Sequence, residues 1–247
     1  MDLVKWIEFR TASPGGQMRK DADTGLIKEF LKEIPIFKSL SDRHLNRLSE
    51  DFIVCRMNKG ETIFHQSDES TDLYIMLDGA VRASLVNEDG EELVLAAFNK
   101  GDFFGEMSLL DGEPRSATMI AAENAALGIL RRETFLRAVK DDPGIAIDLL
   151  SAIVRRMRMA DGMIESLAFL DVGQRVLKLL VQIARTEGIK DKDGFFRIKR
   201  LTHKELAART GASREAVSKA MKVLSFRDGV KEEGDCFLVS PRAEEIL

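Results

Sequence analysis

Between Gly101 and Thr118 the chain sets glycine, carboxylate, hydroxyl and guanidinium at spacings that suit an anion. The run Gly101-Asp102-Phe103-Phe104-Gly105-Glu106-Met107-Ser108-Leu109-Leu110 is followed by Pro114-Arg115-Ser116-Ala117-Thr118. A strand end, a glycine at the turn and a short helical stretch expose backbone N–H groups to negative charge. Arg115, ten residues beyond Gly105, can return across the loop with a forked, permanent cation for phosphate, and Ser116 adds a hydroxyl donor. Glu106 would repel a dianion, yet a carboxylate can accept a ribose hydroxyl beside a singly charged phosphate. The set suits a cyclic nucleotide better than ATP, and no P-loop is present. The plain alternative is an internal Glu106–Arg115 ion pair under a hairpin.

A second constellation runs from Leu201 to Phe226. Thr202-His203-Lys204-Glu205 has the form of a capping box, hydroxyl and carboxylate each satisfying a free N–H at a helix start. Leu206, Ala207 and Ala208 follow, Gly211 supplies a turn, and Ser213 is the next N-cap. The spacing predicts a second helix with Ala216, Val217, Ala220, Val223 and Leu224 inward. Its opposite face would present Arg214, Glu215, Ser218, Lys219 and Lys222. Two helices joined by a short glycine turn, the second basic outside, make a helix-turn-helix. Arginine at its start can donate two hydrogen bonds to guanine O6 and N7, and glutamate can accept from cytosine N4. A helical hairpin with no role on DNA is the alternative.

A chain of 247 residues must hold these groups, enough for one large domain or two ordinary ones. With 45% hydrophobic, 32% charged and 6% aromatic residues, it is neither disordered nor fibrous in composition. Its apolar runs fall far short of the roughly 18 residues of a membrane span. Met1-Asp2-Leu3-Val4-Lys5-Trp6 does not resemble a secretory signal. Cys55 and Cys236 cannot build a disulfide framework or an iron–sulfur ligand set. A cytoplasmic protein without a membrane partner is expected. The net charge of −4 hides an asymmetry: residues 171–247 hold sixteen Lys/Arg and twelve Asp/Glu, while the other 170 residues hold 21 and 29. Between Arg197 and Lys231 ten basic residues meet three acidic ones. An acidic module joined to a basic one that meets polyanions fits this split, although a solvated helix face is also rich in charge.

Residues 1–24, with Ser13-Pro14-Gly15-Gly16, show no sustained period and read as a mobile tail. Leu26, Ile27, Phe30 and Leu31 predict a short helix that ends before Pro35. Another is expected to start at Ser41 as N-cap, with Leu45 and Leu48 inward. From Phe52 to Leu130, short apolar runs alternate with turn signals such as Asp78-Gly79 and Asn87-Glu88-Asp89-Gly90, the pattern of a barrel or sandwich. At Asp142-Pro143 the period becomes helical. Ala146, Leu150, Ile153, Met157, Ala160, Ile164 and Leu167 then form a seam for a two-chain coiled coil, flanked by Arg155, Arg156 and Arg158. The competing reading is an amphipathic helix packed on its own domain.

The stretch from Gly101 to Thr118 resembles the phosphate-binding cassette of cyclic-nucleotide-binding domains, and Glu165-Ser166-Leu167-Ala168-Phe169-Leu170-Asp171-Val172 resembles the hinge of the cyclic-AMP receptor protein. With the helix-turn-helix, the likeness to the cyclic-AMP receptor protein/fumarate–nitrate regulator family runs from about residue 25 to the C-terminus. It implies an α+β fold: an N-terminal β jelly-roll barrel (25–141), a dimerisation helix and hinge (142–170) and a winged helix-turn-helix (171–247). It implies that Gly105, Glu106, Arg115 and Ser116, with Met107 and Ser108 among them, bind sugar-phosphate, and more loosely that Ala83 and Leu95 line the base pocket. Ala160 and Asp161 stand where the family has a threonine and a serine that contact adenine. Ala160 offers no hydrogen bond; Asp161 either accepts from guanine N1–H and N2–H or is a solvated charge beside Arg158. Thr202, Ser213, Arg214, Glu215, Ser218, Lys219 and Lys222 become the DNA-contacting set. Lys219 replaces an arginine and so lacks its fork, which implies a shifted sequence preference. The hairpin around Gly229 and Gly234 resembles the wing, with Lys231 near phosphate. Gln66-Ser67-Asp68 departs, with serine where the family usually has glycine.

The resemblance implies a homodimeric transcription regulator, with cyclic AMP or cyclic GMP as allosteric effector rather than cofactor. Its implied partners are double-stranded DNA with a near-palindromic site, a second copy of the chain, and RNA polymerase. The rival readings are a ligand-independent regulator of the same family and a nucleotide-binding module acting on a protein. A redox sensor would need N-terminal cysteines, and haem would have only His65 or Cys55. No Ser/His/Asp set, metal cluster or nucleotide-hydrolysing motif points to an enzyme.

Overall fold

Residues 24–243 are described by a computed structural model. They fall into two compact units, one holding the described residues up to Leu85 with Ala96–Met157, the other Val86–Leu95 with the chain from Arg158 onward. The expected tail lies outside the described residues, apart from Thr24.

The first unit begins with α1 (Thr24–Glu33), a 3-10 turn at Pro35–Phe37 and α2 (Asp42–Glu50). Leu45 and Leu48 of α2 are buried as their spacing predicts, but Ser41, at the N-cap position, makes no capping bond with its side chain. The strands are β1 (Ile53–Met57), β2 (Thr62–Phe64), β3 (Leu73–Asp78), β4 (Ala80–Val86), β5 (Glu92–Asn99), β6 (Phe103–Phe104), β7 (Thr118–Ala121) and β8 (Ala125–Leu130), with α3 (Glu106–Asp111) between β6 and β7. They make two four-stranded sheets, ordered β1-β8-β3-β6 and β2-β7-β4-β5, with antiparallel ladders. This is the expected jelly-roll barrel.

Strand β3 explains how the sheet serves two cores. Its side chains alternate: Tyr74 and Met76 join the cluster between the sheets, while Leu73, Ile75 and Leu77 join a cluster with α1, α2 and their neighbours. Both faces are covered, so the strand reads as an unbroken apolar run. In β8, Gly128 leaves room for the Phe52 ring, whose Cζ would lie 1.9 Å from a Cβ at that position. The family's usual glycine before Asp68 is indeed replaced at a demanding position: Ser67 has φ 72 and is held by its N–H to the Arg115 carbonyl at 2.8 Å.

Helix α4 (Arg132–Asp141) leads to the long α5 (Gly144–Phe169). Asp142 accepts the Gly144 N–H at 3.0 Å, the cap its position suggests. Helix α5 has two apolar faces. Ile145, Leu149 and Ala152 are buried in the barrel-side cluster, and Ile153, assigned by spacing to the seam, packs partly buried against the same cluster. Leu150, Met157 and Ile164 of the seam are 55%, 61% and 64% exposed.

In the second unit, α6 (Val172–Glu187) starts from an Asp171–Gln174 capping box. Then come β9 (Ile189–Lys190), β10 (Phe196–Lys199), α7 (His203–Thr210), α8 (Arg214–Phe226), β11 (Val230–Glu233) and β12 (Cys236–Val239), with sheet order β11-β12-β10-β9. Val176, Leu177, Leu180, Leu206, Val217, Met221, Leu224 and Phe237 are among its core. The inward face of α8 differs from expectation by one step: Met221 is buried and Val223 is 51% exposed, because α6 and α7 cover the opposite flank of the stripe. The β11–β12 hairpin turns at Gly234 and forms the expected wing. Among the described residues, no helix is long and apolar enough to cross a membrane.

Candidate functional site

Gly105 follows β6 and is the N-cap of α3, with φ 84 and ψ 9. A Cβ here would meet Arg115 Nη1 at 2.6 Å and the Asp72 carbonyl oxygen at 2.9 Å, so both conformation and space require glycine. Arg115 is only 2% exposed. Its Nε donates to Ser70 Oγ at 2.9 Å, Nη1 to the Gly105 carbonyl at 3.0 Å and Nη2 to the Asp72 carbonyl at 2.8 Å. The guanidinium lies 4.2 Å from the centre of the Phe64 ring and 5.6 Å from that of Tyr74, whose own ring stacks on Phe104. Burial draws the Arg115 pKa below the usual arginine range, opposed by Tyr74, Asp72, Glu106 and Asp68. Burial also raises the Tyr74 phenol. Three of the five guanidinium N–H groups are thus used on Ser70, Gly105 and Asp72 inside the protein. The fork expected to face phosphate is in the first place a fastener of the Gly105 turn.

Glu106 is buried, and its partner is not Arg115. Arg156 of α5 places Nη1 2.8 Å from Glu106 Oε1, donates Nη2 to the Phe103 carbonyl, and lies over the rings of Phe103 and Phe98 at 4.5 and 5.0 Å. The internal Glu106–Arg115 pair is therefore excluded. Sequence context places Arg156 only among the arginines flanking the seam, although a further signal exists: it continues the buried stripe Ile145, Leu149, Ala152 at the next helical step. A cation on a buried stripe needs an acid opposite, and Glu106 is that acid. Arg115 and Arg156 thus stand with Glu106 at one edge of the barrel, and Asp68 and Asp72 also act on the Arg115 charge.

The other expected ligand residues are spread more widely. Ser108 is buried, while Met107 and Ser116 are exposed, with the Ser116 hydroxyl 3.4 Å from the Met107 sulfur. Ala83 is buried on β4 and Leu95 is exposed on β5. Ala160 and Asp161 are exposed on α5, and Asp161 has no ion pair among the described residues, with Arg158 or otherwise. Cys55 lies in the barrel core with its thiol pushed up to about 11 by burial, and His65 is exposed.

The helix-turn-helix forms as its local signals require. Thr202 and Glu205 complete the capping box, Gly211 takes φ 60, and Ser213 accepts the Ala216 N–H at 3.2 Å. Arg214, Glu215, Lys219 and Lys222 are exposed along α8. Ser218 departs from its expected place. It is half-buried, donates to the Arg214 carbonyl at 2.9 Å, and lies 2.8 Å from Nδ1 of His203, so its hydroxyl already has protein partners. Lys231 also departs, being paired with Asp228 at 3.1 Å, and the wing carboxylates Glu233 and Glu232 hold Arg197 and Arg200 at 2.8 and 2.6 Å.

Comparison with known proteins follows this division. The family profile of the cyclic nucleotide-binding domain matches residues 54–142, and that of the Crp-like helix-turn-helix domain matches residues 174–238. The chain is 33% identical over 204 residues to the cyclic AMP receptor protein of Thermus thermophilus, covering 83% of this chain and 91% of that one. It is 29% identical over 212 residues to the CRP-like cAMP-activated global transcriptional regulator of Mycobacterium tuberculosis, covering 86% and 95%. Among solved structures, the c-di-GMP responsive global regulator CLP of Xanthomonas campestris shares the fold, with a TM-score of 0.72 at 22% identity over 81% of this chain and 99% of that one. A transcriptional regulator of the crp/fnr family from Eubacterium rectale does so with a TM-score of 0.71 at 20% identity, over 87% and 98%.

The two arginines should differ in what they hold. Arg115→Leu removes the donor from part-buried acceptors at Ser70, Asp72 and Gly105 and the stacking on Phe64, and should lower stability without ligand by about 2–3 kcal/mol. The Arg156 side chain is 24% exposed but that of Glu106 only 11%, so Arg156→Leu leaves a buried carboxylate unpaired and should cost about 2–3 kcal/mol, most of it recovered when Glu106→Gln is added. Urea unfolding without nucleotide measures all three variants; a loss under about 1 kcal/mol in Arg115→Leu would remove Arg115 from the fastening role.

Proposed function

This chain belongs to the cyclic-AMP receptor protein/fumarate–nitrate regulator family of DNA-binding transcription regulators, and on that footing we propose that it acts as a homodimer whose DNA affinity is set by a cyclic nucleotide in the barrel. The observation that carries this reading is the Arg156–Glu106 ion pair. It joins the carboxylate suited to a ribose hydroxyl to the helix that bears the seam. A nucleotide that takes Glu106 as acceptor, with Arg115 beside its phosphate, shares that carboxylate with Arg156. Helix α5 then reports occupancy along its length.

The seam supports the dimer. Leu150, Met157 and Ile164 are exposed apolar residues at coiled-coil spacing, and a second copy of α5 would cover them. Two-fold symmetry would set the two α8 helices about 34 Å apart on a near-palindromic duplex. RNA polymerase is the proposed protein partner at the promoter. For the effector we take cyclic AMP, the nucleotide in the names of the Thermus and Mycobacterium relatives. Asp161 favours cyclic GMP as a second reading: it is an exposed, unpaired acceptor on α5, where the family's adenine-contacting hydroxyl would be.

Ile164→Glu should convert the dimer to monomer in sedimentation and abolish tight binding to a two-half-site duplex; a dimer that still binds would move the interface elsewhere. On DNA, Arg214→Ala should cost about 1–3 kcal/mol at one base pair and relax the preference there. Lys222→Ala should weaken all sequences alike and reduce the salt slope by about 1. Anisotropy titrations of selected and random duplexes at several salt concentrations separate the two, and identical effects would contradict the division. The same titrations with cyclic AMP or cyclic GMP, or neither, test the control itself. Asp161→Ser should shift the ratio of the two nucleotide affinities about tenfold toward cyclic AMP. An unchanged ratio means that Asp161 does not read the base.

A further inference from the structure

His203 opens α7, on the helix that precedes the one expected in the groove. Its Nδ1 lies 2.8 Å from Ser218 Oγ, which donates onward to the Arg214 carbonyl at 2.9 Å. Both bonds are made together only if His203 carries its proton on Nδ1 and donates it, since the single hydroxyl proton of Ser218 goes to Arg214. Nε2 of His203 is buried without a partner. The ring is thus bound at one nitrogen only, and that one bond decides which way it faces. A serine bonded back to the carbonyl four residues earlier bends its helix locally. Here that bond spans the first turn of α8, the one that carries Arg214 and Glu215.

We propose that His203 is a positioning residue for base readout: through Ser218 it fixes the first turn of α8 against α7, and so fixes the direction in which Arg214 leaves the helix. The proposal rests on the reading that α8 meets base edges with that turn. A bidentate contact to a base tolerates only about 0.5 Å of error in its support. A phosphate contact, by contrast, is satisfied over a range of positions. Loss of the relay should therefore lower discrimination among sequences more than it lowers affinity for DNA as such.

The experiment compares affinity for a duplex selected by the parent from a random pool with affinity for a random duplex, at one salt concentration and with cyclic AMP present and absent. His203→Leu and Ser218→Ala should each reduce the selected-to-random ratio about tenfold. The double variant should be no worse than either single one, as expected for residues acting through one link. His203→Asn, whose amide can donate from the same place as Nδ1, should recover the ratio to within about threefold of the parent. Ser218→Ala keeps a good helix former at that position and so reads the relay even if His203→Leu does not fold. An unaltered ratio in Ser218→Ala, or additive losses in the double variant, would overturn the proposal. A parent that shows no selected-to-random preference in either condition would instead overturn the DNA reading on which it stands.

Discussion

A guanidinium cannot be taken out of water unless acceptors close around it, and Arg115 is almost wholly out of water. That requirement organises the barrel's active edge. It brings the Ser70 hydroxyl and the Asp72 carbonyl to the same point as the Gly105 carbonyl, although the first two lie on a different connection from the third. The backbone of Arg115 completes the join, its N–H bonding the Asp68 carbonyl and its carbonyl accepting from Ser67. Glycine at 105 is a consequence, since a Cβ there would meet the guanidinium, and the Phe64 ring lies against its face.

Helix α5 answers to two demands at once. Ile145, Leu149 and Ala152 fasten it to the barrel, and the same stripe ends in Arg156, whose charge is met by Glu106. The other face leaves Leu150, Met157 and Ile164 in solvent. In the barrel unit the helix therefore meets the cassette through Arg156 and leaves Leu150 and Met157 exposed on its other face.

Local chemistry was legible from sequence, and long-range pairing was not. The caps at Thr202 and Ser213, the hairpin turn at Asn87–Gly90 and the positive φ at Gly105 depend on residues within a few positions of each other, and each forms as its spacing implies. The cassette itself could be found because its groups are clustered in the chain. What could not be found was the opposite partner. Two of the three acceptors of the Arg115 side chain lie more than forty residues before it, and Arg156 lies fifty residues after Glu106. Met221 and Val223 flank the same stripe of α8, and only the packing of α6 and α7 decides which is covered. His203 and Ser218 face each other because the Gly211 turn folds α7 onto α8, a geometry that no periodicity within either helix expresses.

The wing gives the positive charge of the C-terminal unit a different meaning from its count. Arg197, Arg200 and Lys231 belong to the densest basic stretch of the chain, yet each is held by a carboxylate of the wing or its base. A cation already neutralised displaces few counterions when it nears a phosphate, so it adds little to the sequence-independent hold on a duplex. The domain is consequently a weaker general adhesive than its composition suggests. On a chromosome, where wrong sites vastly outnumber right ones, that shortens each unproductive stop and keeps more of the population free to continue its search.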